Sequence, residues 1–160
     1  MKKKVLVAFS GGLDTSFCVK YLKEDKGFEV YTALVNTGGF SKDELSSVAE
    51  KALKLGAASH ENIDITEEFY RKALRYMIFG NVLRGNVYPI SVSSERVFQA
   101  IAIIEYAKKI GATAVAHGST GAGNDQVRFD MIFQTLAPEI EIITPIRDLS
   151  LSRQQEIDCL

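Results

Sequence analysis

Residues 5 to 9, Val-Leu-Val-Ala-Phe, form an unbroken apolar run that gives way at once to Ser10-Gly11-Gly12-Leu13-Asp14-Thr15-Ser16. Five apolar side chains with no polar alternate suit a strand covered on both faces, as the strands of a helix-flanked parallel sheet are. Similar strand-like runs recur, each followed by a helical stretch. Glu29 to Asn36 reads as a second strand rich in β-formers, with short ones at Asn62 to Ile65, Thr113 to Ala116 and Ile140 to Thr144. Strands that alternate with helices predict an α/β fold, a doubly wound parallel five-stranded sheet with helices on both faces.

The intervening helices carry their own punctuation. The first is expected from Thr15 to about Asp25. Ser41 with Glu44 three residues on reads as a capping box, opening a helix that ends at Gly56. Thr66 is expected to cap a helix reaching Phe79, and Gly80 to Ser93 shows no period and reads as a functional loop. Ser94 to Ile110 is the longest expected helix, with Val97, Ile101, Ile104 and Ala107 roughly on one face, and Gly111 ends it. Another begins at Asn124. Ser152 and Gln155 repeat the capping-box spacing, and the helix they open presents apolar Ile157 and Leu160 with nothing in the sequence to cover them. A domain that continues into, or docks on, further polypeptide is expected.

Composition narrows the function. A formal net charge of −1 over 160 residues disfavours a dedicated nucleic-acid binder. The two cysteines, Cys18 and Cys159, lack metal spacing, and with only His60 and His117 beside them no metal site is expected. The apolar run after Lys2-Lys3-Lys4 is shorter than a signal core, and no stretch approaches a membrane-spanning length, so a cytoplasmic protein without a membrane partner is expected.

Chemistry concentrates at two strand ends. In an open parallel sheet, ligands bind outside the carboxyl ends of the strands. After the first strand, paired glycines allow close backbone approach, the following helix offers its N–H groups, and Ser10, Thr15 and Ser16 add hydroxyls, all suited to an anion. The chain contains neither G-x-x-x-x-G-K-[ST] nor G-x-G-x-x-G, which sets aside the usual nucleotide and dinucleotide loops. After the fourth strand stands His117-Gly118-Ser119-Thr120-Gly121-Ala122-Gly123-Asn124-Asp125-Gln126-Val127-Arg128-Phe129. This loop is expected beside the first, with Asn124 and Arg128 on one helix face. Arg and hydroxyl donors suit a carboxylate and Asp125 suits an ammonium, so the set fits a small zwitterion. Simpler readings stand alongside: Asn124 as a cap, Asp125 as a dipole-complementing acid, Arg128 as a surface charge.

The Ser-Gly-Gly-Leu-Asp-Thr-Ser loop resembles the pyrophosphate loop of ATP pyrophosphatases. Together with the second motif, the chain resembles argininosuccinate synthase over essentially its whole length. The resemblance implies a Rossmann-like, adenine-nucleotide α-hydrolase-like domain, the amino-terminal nucleotide-binding part of a longer enzyme, followed by the start of a synthetase domain. It implies ATP with Mg2+ as substrate complex, bound by Ala8, Phe9, Ser10, Gly11, Gly12, Leu13, Asp14, Thr15, Ser16, Val35 and Gly118. It implies citrulline contacts at Tyr88, Ser93, Asn124 and Arg128, and aspartate contacts at Thr120, Asn124 and Asp125. A homo-oligomer, a tetramer in the full-length family, is implied as well. His117 is expected to order its loop, and no residue is singled out as a catalytic base.

The chain departs from the family pattern at Ser93-Ser94-Glu95-Arg96-Val97, where many members read Ser-Leu-Ala-Arg-Pro, and at Ala122, where a lysine is common. Two other readings share the first loop. One is another adenylating pyrophosphatase and the other a non-catalytic adenine-nucleotide-binding module.

Overall fold

The computed structural model describes residues 2–160. Five parallel strands, β1 (Lys4–Ala8), β2 (Glu29–Asn36), β3 (Ser59–Asp64), β6 (Ala114–Ala116) and β7 (Glu141–Ile143), form one sheet in the order β3-β2-β1-β6-β7. The chain winds outward from β1 to β3, then returns across β1 to add β6 and β7. The winding direction therefore reverses between β1 and β6.

The alternation of side chains along β1 divides the core in two. Val5 and Val7, with Phe9 just beyond the strand, face one layer with Phe17, Val19, Leu22, Ala52 and Ile146. Leu6 faces the other, packed with Ala100, Ile103, Ile104, Ala107 and Phe133. The first layer is built from α1 (Leu13–Glu24), α2 (Lys42–Lys54) and α7 (Pro145–Leu149). The second is built from α5 (Ser91–Ile110) and α6 (Asp125–Leu136). Both faces of the sheet are thus covered, and the unbroken apolar run of β1 is accounted for.

Several boundaries differ from the sequence-based expectation. Helix α1 starts at Leu13 rather than Thr15, which places Asp14 and Thr15 in its first turn. The buried face of α5 is Ala100, Ala102, Ile103, Ile104 and Ala107, which keeps Ile104 and Ala107 of the expected stripe and leaves Val97 and Ile101 half-buried. Thr66 is the first residue of α3 (Thr66–Phe69) and not its cap; the Asp64 carboxylate accepts the Thr66 N–H at 2.8 Å. The expected single helix from there to Phe79 is interrupted by a π-helical stretch, Tyr70–Leu74, before α4 (Arg75–Phe79). The expected loop after it holds a small antiparallel hairpin, β4 (Leu83–Arg84) with β5 (Tyr88–Pro89), and α5 then begins three residues early.

Both capping boxes form as expected, at Ser41 for α2 and at Ser152 for α8 (Arg153–Asp158). Gly111 takes the left-handed conformation (φ 66°) that closes α5. Among the described residues no helix is long and apolar enough to cross a membrane.

Candidate functional site

The reversal of winding between β1 and β6 opens a crevice at their carboxyl ends, the place where open sheets bind ligands. A cavity of about 700 Å³ lies there. Its walls include Ala8, Phe9, Ser10, Gly12, Leu13, Asp14 and Thr15 from the first loop and Gly118, Ser119, Thr120 and Gly123 from the second. The two loops touch. A Cβ placed on Gly118 would lie 3.0 Å from the Asp14 Cβ and 3.2 Å from the Asp14 carbonyl carbon, so any larger residue at that crossing would press on the start of α1.

The first loop is held from inside. Ser16 is fully buried and its hydroxyl donates to the Gly12 carbonyl at 2.7 Å, as does that of Thr15 at 3.2 Å. The Gly12 N–H donates to the Ser10 hydroxyl at 3.3 Å. Gly11 turns with φ 77°, and Lys51 of α2 donates to its carbonyl at 2.6 Å. Helix α1 has Gly12 at its cap position with no side-chain cap, so its first-turn N–H groups remain for a ligand, on the positive end of the helix dipole.

His117 organises the second loop. It is 2% exposed and stacks on Phe129, with Nε2 against the Asp130 carboxylate at 2.9 Å, while Nδ1 accepts the Ser119 N–H at 3.3 Å. Burial holds its pKa below the ordinary value and outweighs the opposing pull of Asp130, so the ring is neutral near pH 7. Burial works to raise the Asp130 pKa, yet the hydrogen bonds from His117 and from Arg147, the latter at 2.8 Å, outweigh it and hold the carboxyl below its usual value.

Of the residues singled out for the nucleotide, Gly11 and Ser16 shape the loop from behind, while Val35 and Gly118 join the other first-loop positions in the cavity wall. The amino-acid positions are less gathered. Thr120 is exposed on the rim. Arg128 donates to Asp125 at 2.7 Å and to the Ser93 hydroxyl at 3.0 Å, which ties α6 to the start of α5. Asp125 also accepts from Arg96 at 3.2 Å, so both of its oxygens already face guanidinium groups. Asn124 is exposed and its side chain caps nothing, and Tyr88 is half-exposed on the hairpin; neither lines the cavity.

Further polar residues of the wall, given no role by the motifs, include Glu95, Arg96 and Gln99 from α5, Gln126 from α6 and Arg153 from α8. The spacing 95, 96, 99 puts the first three on one helical face, a polar signal within a helix whose apolar positions are the more conspicuous. Arg153 sits in the first turn of its helix, where a cation opposes the helix dipole; that misfit was the available clue. Behind Asp14, Glu156 is 2% exposed with no partner for its Oε2, and burial together with the Asp14 charge raises its pKa. Among the described residues no three His, Cys, Asp or Glu side chains gather as a metal cluster.

Comparison with known proteins fits this geometry. The arginosuccinate synthase N-terminal HUP domain matches residues 4–159. Argininosuccinate synthases of Pyrobaculum aerophilum, Methanocaldococcus jannaschii and Lactococcus lactis are 43%, 42% and 42% identical over 97%, 99% and 98% of this chain. The chain spans 38%, 40% and 38% of those relatives' own lengths. Among solved structures, a predicted subunit of a tRNA methyltransferase from M. jannaschii superposes with a TM-score of 0.62 at 20% identity, over 98% of this chain and 73% of that one. The NH3-dependent NAD synthetase of Campylobacter jejuni gives 0.54 at 15% identity, over 74% and 47%. These two likenesses concern the fold alone. With the family match running from one end of the sheet to the other, and through both glycine loops, the chain belongs to the argininosuccinate synthase family.

Proposed function

We propose that this chain is the ATP-binding part of an enzyme that joins citrulline to aspartate, giving argininosuccinate, AMP and pyrophosphate. The observation that carries the reading is the contact of the two glycine loops at the β1–β6 reversal, around one cavity that both of them line. Family membership supports the same assignment.

In this reading the uncapped start of α1, with Ser10 and Gly12, takes the phosphates of ATP, and the apolar strand ends Ala33 and Val35 lie along the nucleoside. The substrate is the Mg2+ complex. Asp14 is the loop's carboxylate in the cavity, and Mg2+ commonly takes one or two carboxylates alongside phosphate oxygens. The ureido oxygen of citrulline attacks the α-phosphorus, the bond to the β-phosphate breaks, and pyrophosphate leaves. The aspartate amine then attacks the activated ureido carbon, AMP departs, and the amine gives up a proton. The work is positioning and charge stabilisation, for which Arg96, Arg128 and Arg153 supply the cations. Ser93, Arg128, Asn124 and Tyr88 are assigned to citrulline, and Thr120, Asn124 and Asp125 to aspartate. Binding of a zwitterion there requires Asp125 to share its oxygens between the guanidinium groups and the incoming ammonium.

Calorimetric titration with Mg–ATP tests the reading. The expected result is ATP binding that Asp14→Ala weakens and that citrulline strengthens. A folded chain that takes up no ATP at millimolar concentration refutes it.

A further inference from the structure

The cavity has two chemically different ends. The glycine loops make one, rich in hydroxyls and free N–H groups. At β2 the wall turns apolar, with Ala33 and Val35 of that strand and Ile103 of α5. Glu95 stands in the wall at this second end, outside every role assigned above.

Its carboxylate is held on one side only. Oε1 accepts from the Thr37 hydroxyl at 2.6 Å and from the Gln99 amide at 3.3 Å. Gln99 is itself fixed by Arg96, which donates to its Oε1 at 2.6 Å. Among the described residues no donor bonds Glu95 Oε2. An acceptor is therefore locked in place beside an apolar slot, with one oxygen to spare.

We propose that Glu95 reads the base of the nucleotide: Oε2 accepts the exocyclic 6-amino group of adenine, and selects ATP against triphosphates whose base carries a 6-oxo group. The inference rests on the ATP reading above. An apolar wall suits the faces of a purine, and a carboxylate, which only accepts, suits the one amino donor on the adenine edge. A 6-oxo base would set lone pair against lone pair and leave Oε2 unpaired, the arrangement by which a polar site rejects a near-isostere. The alternatives within the same complex fit less well. The ribose lies between base and phosphates, nearer the glycine loops. An amino-acid ammonium belongs with Asp125, across the Arg96 guanidinium from Glu95.

The test is calorimetric titration of the full chain with Mg–ATP and with Mg–ITP (the 6-oxo counterpart), for the native protein, Glu95→Gln and Glu95→Ala. The native chain is expected to prefer ATP by on the order of 10- to 100-fold, the range for a hydrogen bond to a charged group. Glu95→Gln keeps the shape of the side chain and can donate to a 6-oxo group, so its preference falls to near unity; Glu95→Ala narrows it too. Thr37→Val, which removes the tether, gives an intermediate ratio. Equal affinity of the native chain for ATP and ITP overturns the proposal, as does a native preference that survives in both Glu95 variants; in either case the ATP reading stands. A native chain that binds neither nucleotide overturns both.

Discussion

Gly118→Ala tests the contact on which the site depends. The added Cβ would sit 3.0 Å from the Asp14 Cβ, 3.2 Å from the Asp14 carbonyl carbon and 3.2 Å from the Thr15 Cγ2. Carbon atoms in comfortable contact lie about 3.5–4.0 Å apart, so each approach is too close by roughly 0.3–1 Å. Neither side yields easily. Asp14 and Thr15 belong to the first turn of α1, anchored by buried Ser16, and Gly118 follows His117, fixed by Asp130. Overpacking of this kind costs about 1–3 kcal/mol, which for a domain of this size lowers the Tm by roughly 2–12 °C. ATP affinity should fall as well, because relief comes from moving the two loops apart. Gly121→Ala is the control: a Cβ there meets nothing within 4 Å, and its effect should stay within about 0.5 kcal/mol. Thermal melts followed by circular dichroism, paired with ATP titration, read both variants. If Gly118→Ala melts with the native protein and binds ATP equally well, the loops do not meet as described.

Three further outcomes are expected. His117 has a folded pKa below its ordinary value of 6.5, so below that pH the unfolded chain binds a proton that the native chain refuses. Its contribution to stability is therefore present at neutral pH and declines as pH falls through 6.5 towards the folded value; chemical denaturation from pH 7.5 to 5 should show the decline, smaller in His117→Asn. Asp130, with its lowered pKa, adds a loss of the same sign at more acid pH. Burial, with the nearby charges of Asp14 and Glu156, pushes the Cys18 thiol up to about 12, whereas Cys159 is exposed. A thiol reagent at pH 8 should modify Cys159 promptly and Cys18 only on unfolding; two fast thiols would contradict the packing of α1. Ser41→Ala removes a capping box in which the Ser41 hydroxyl accepts the Glu44 N–H while the Glu44 carboxylate accepts the Ser41 N–H. It should cost about 0.5–2 kcal/mol in urea unfolding.

The parts of this fold legible in the sequence are those with a local cause. The β1 run, both capping boxes and Gly111 each need only their own neighbours to be recognised. The π-helical stretch and the hairpin between α4 and α5 carry no comparable signature, and the buried face of α5 mixes alanine with isoleucine, so a search for large apolar residues alone finds only part of it. In the site, the glycine loops could be found because a strand end followed by glycines and hydroxyls is itself an anion-binding pattern. The wall opposite them could not, since Glu95, Arg96, Gln99 and Arg153 acquire meaning only once α5 and α8 are placed.

The charge around the cavity shows why that placement matters. The glycine loop carries an acid, Asp14, and no lysine of its own, which by itself is a poor match for a triphosphate. Positive charge in the wall comes from two other elements, Arg96 of α5 and Arg153 of α8, while Lys51 of α2 holds the Gly11 carbonyl. Arg96 is held by Asp125 and Gln99 before any ligand enters. Such preorganised cations cost little further ordering when an anion binds. On the ATP reading proposed above, the short acidic loop serves as a phosphate site because of where the topology puts it, at the one reversal of winding that gathers α1, α5 and α6 around the ends of β1 and β6. A loop of the same sequence at another strand end would keep its glycines and hydroxyls and lose the cations that make them useful.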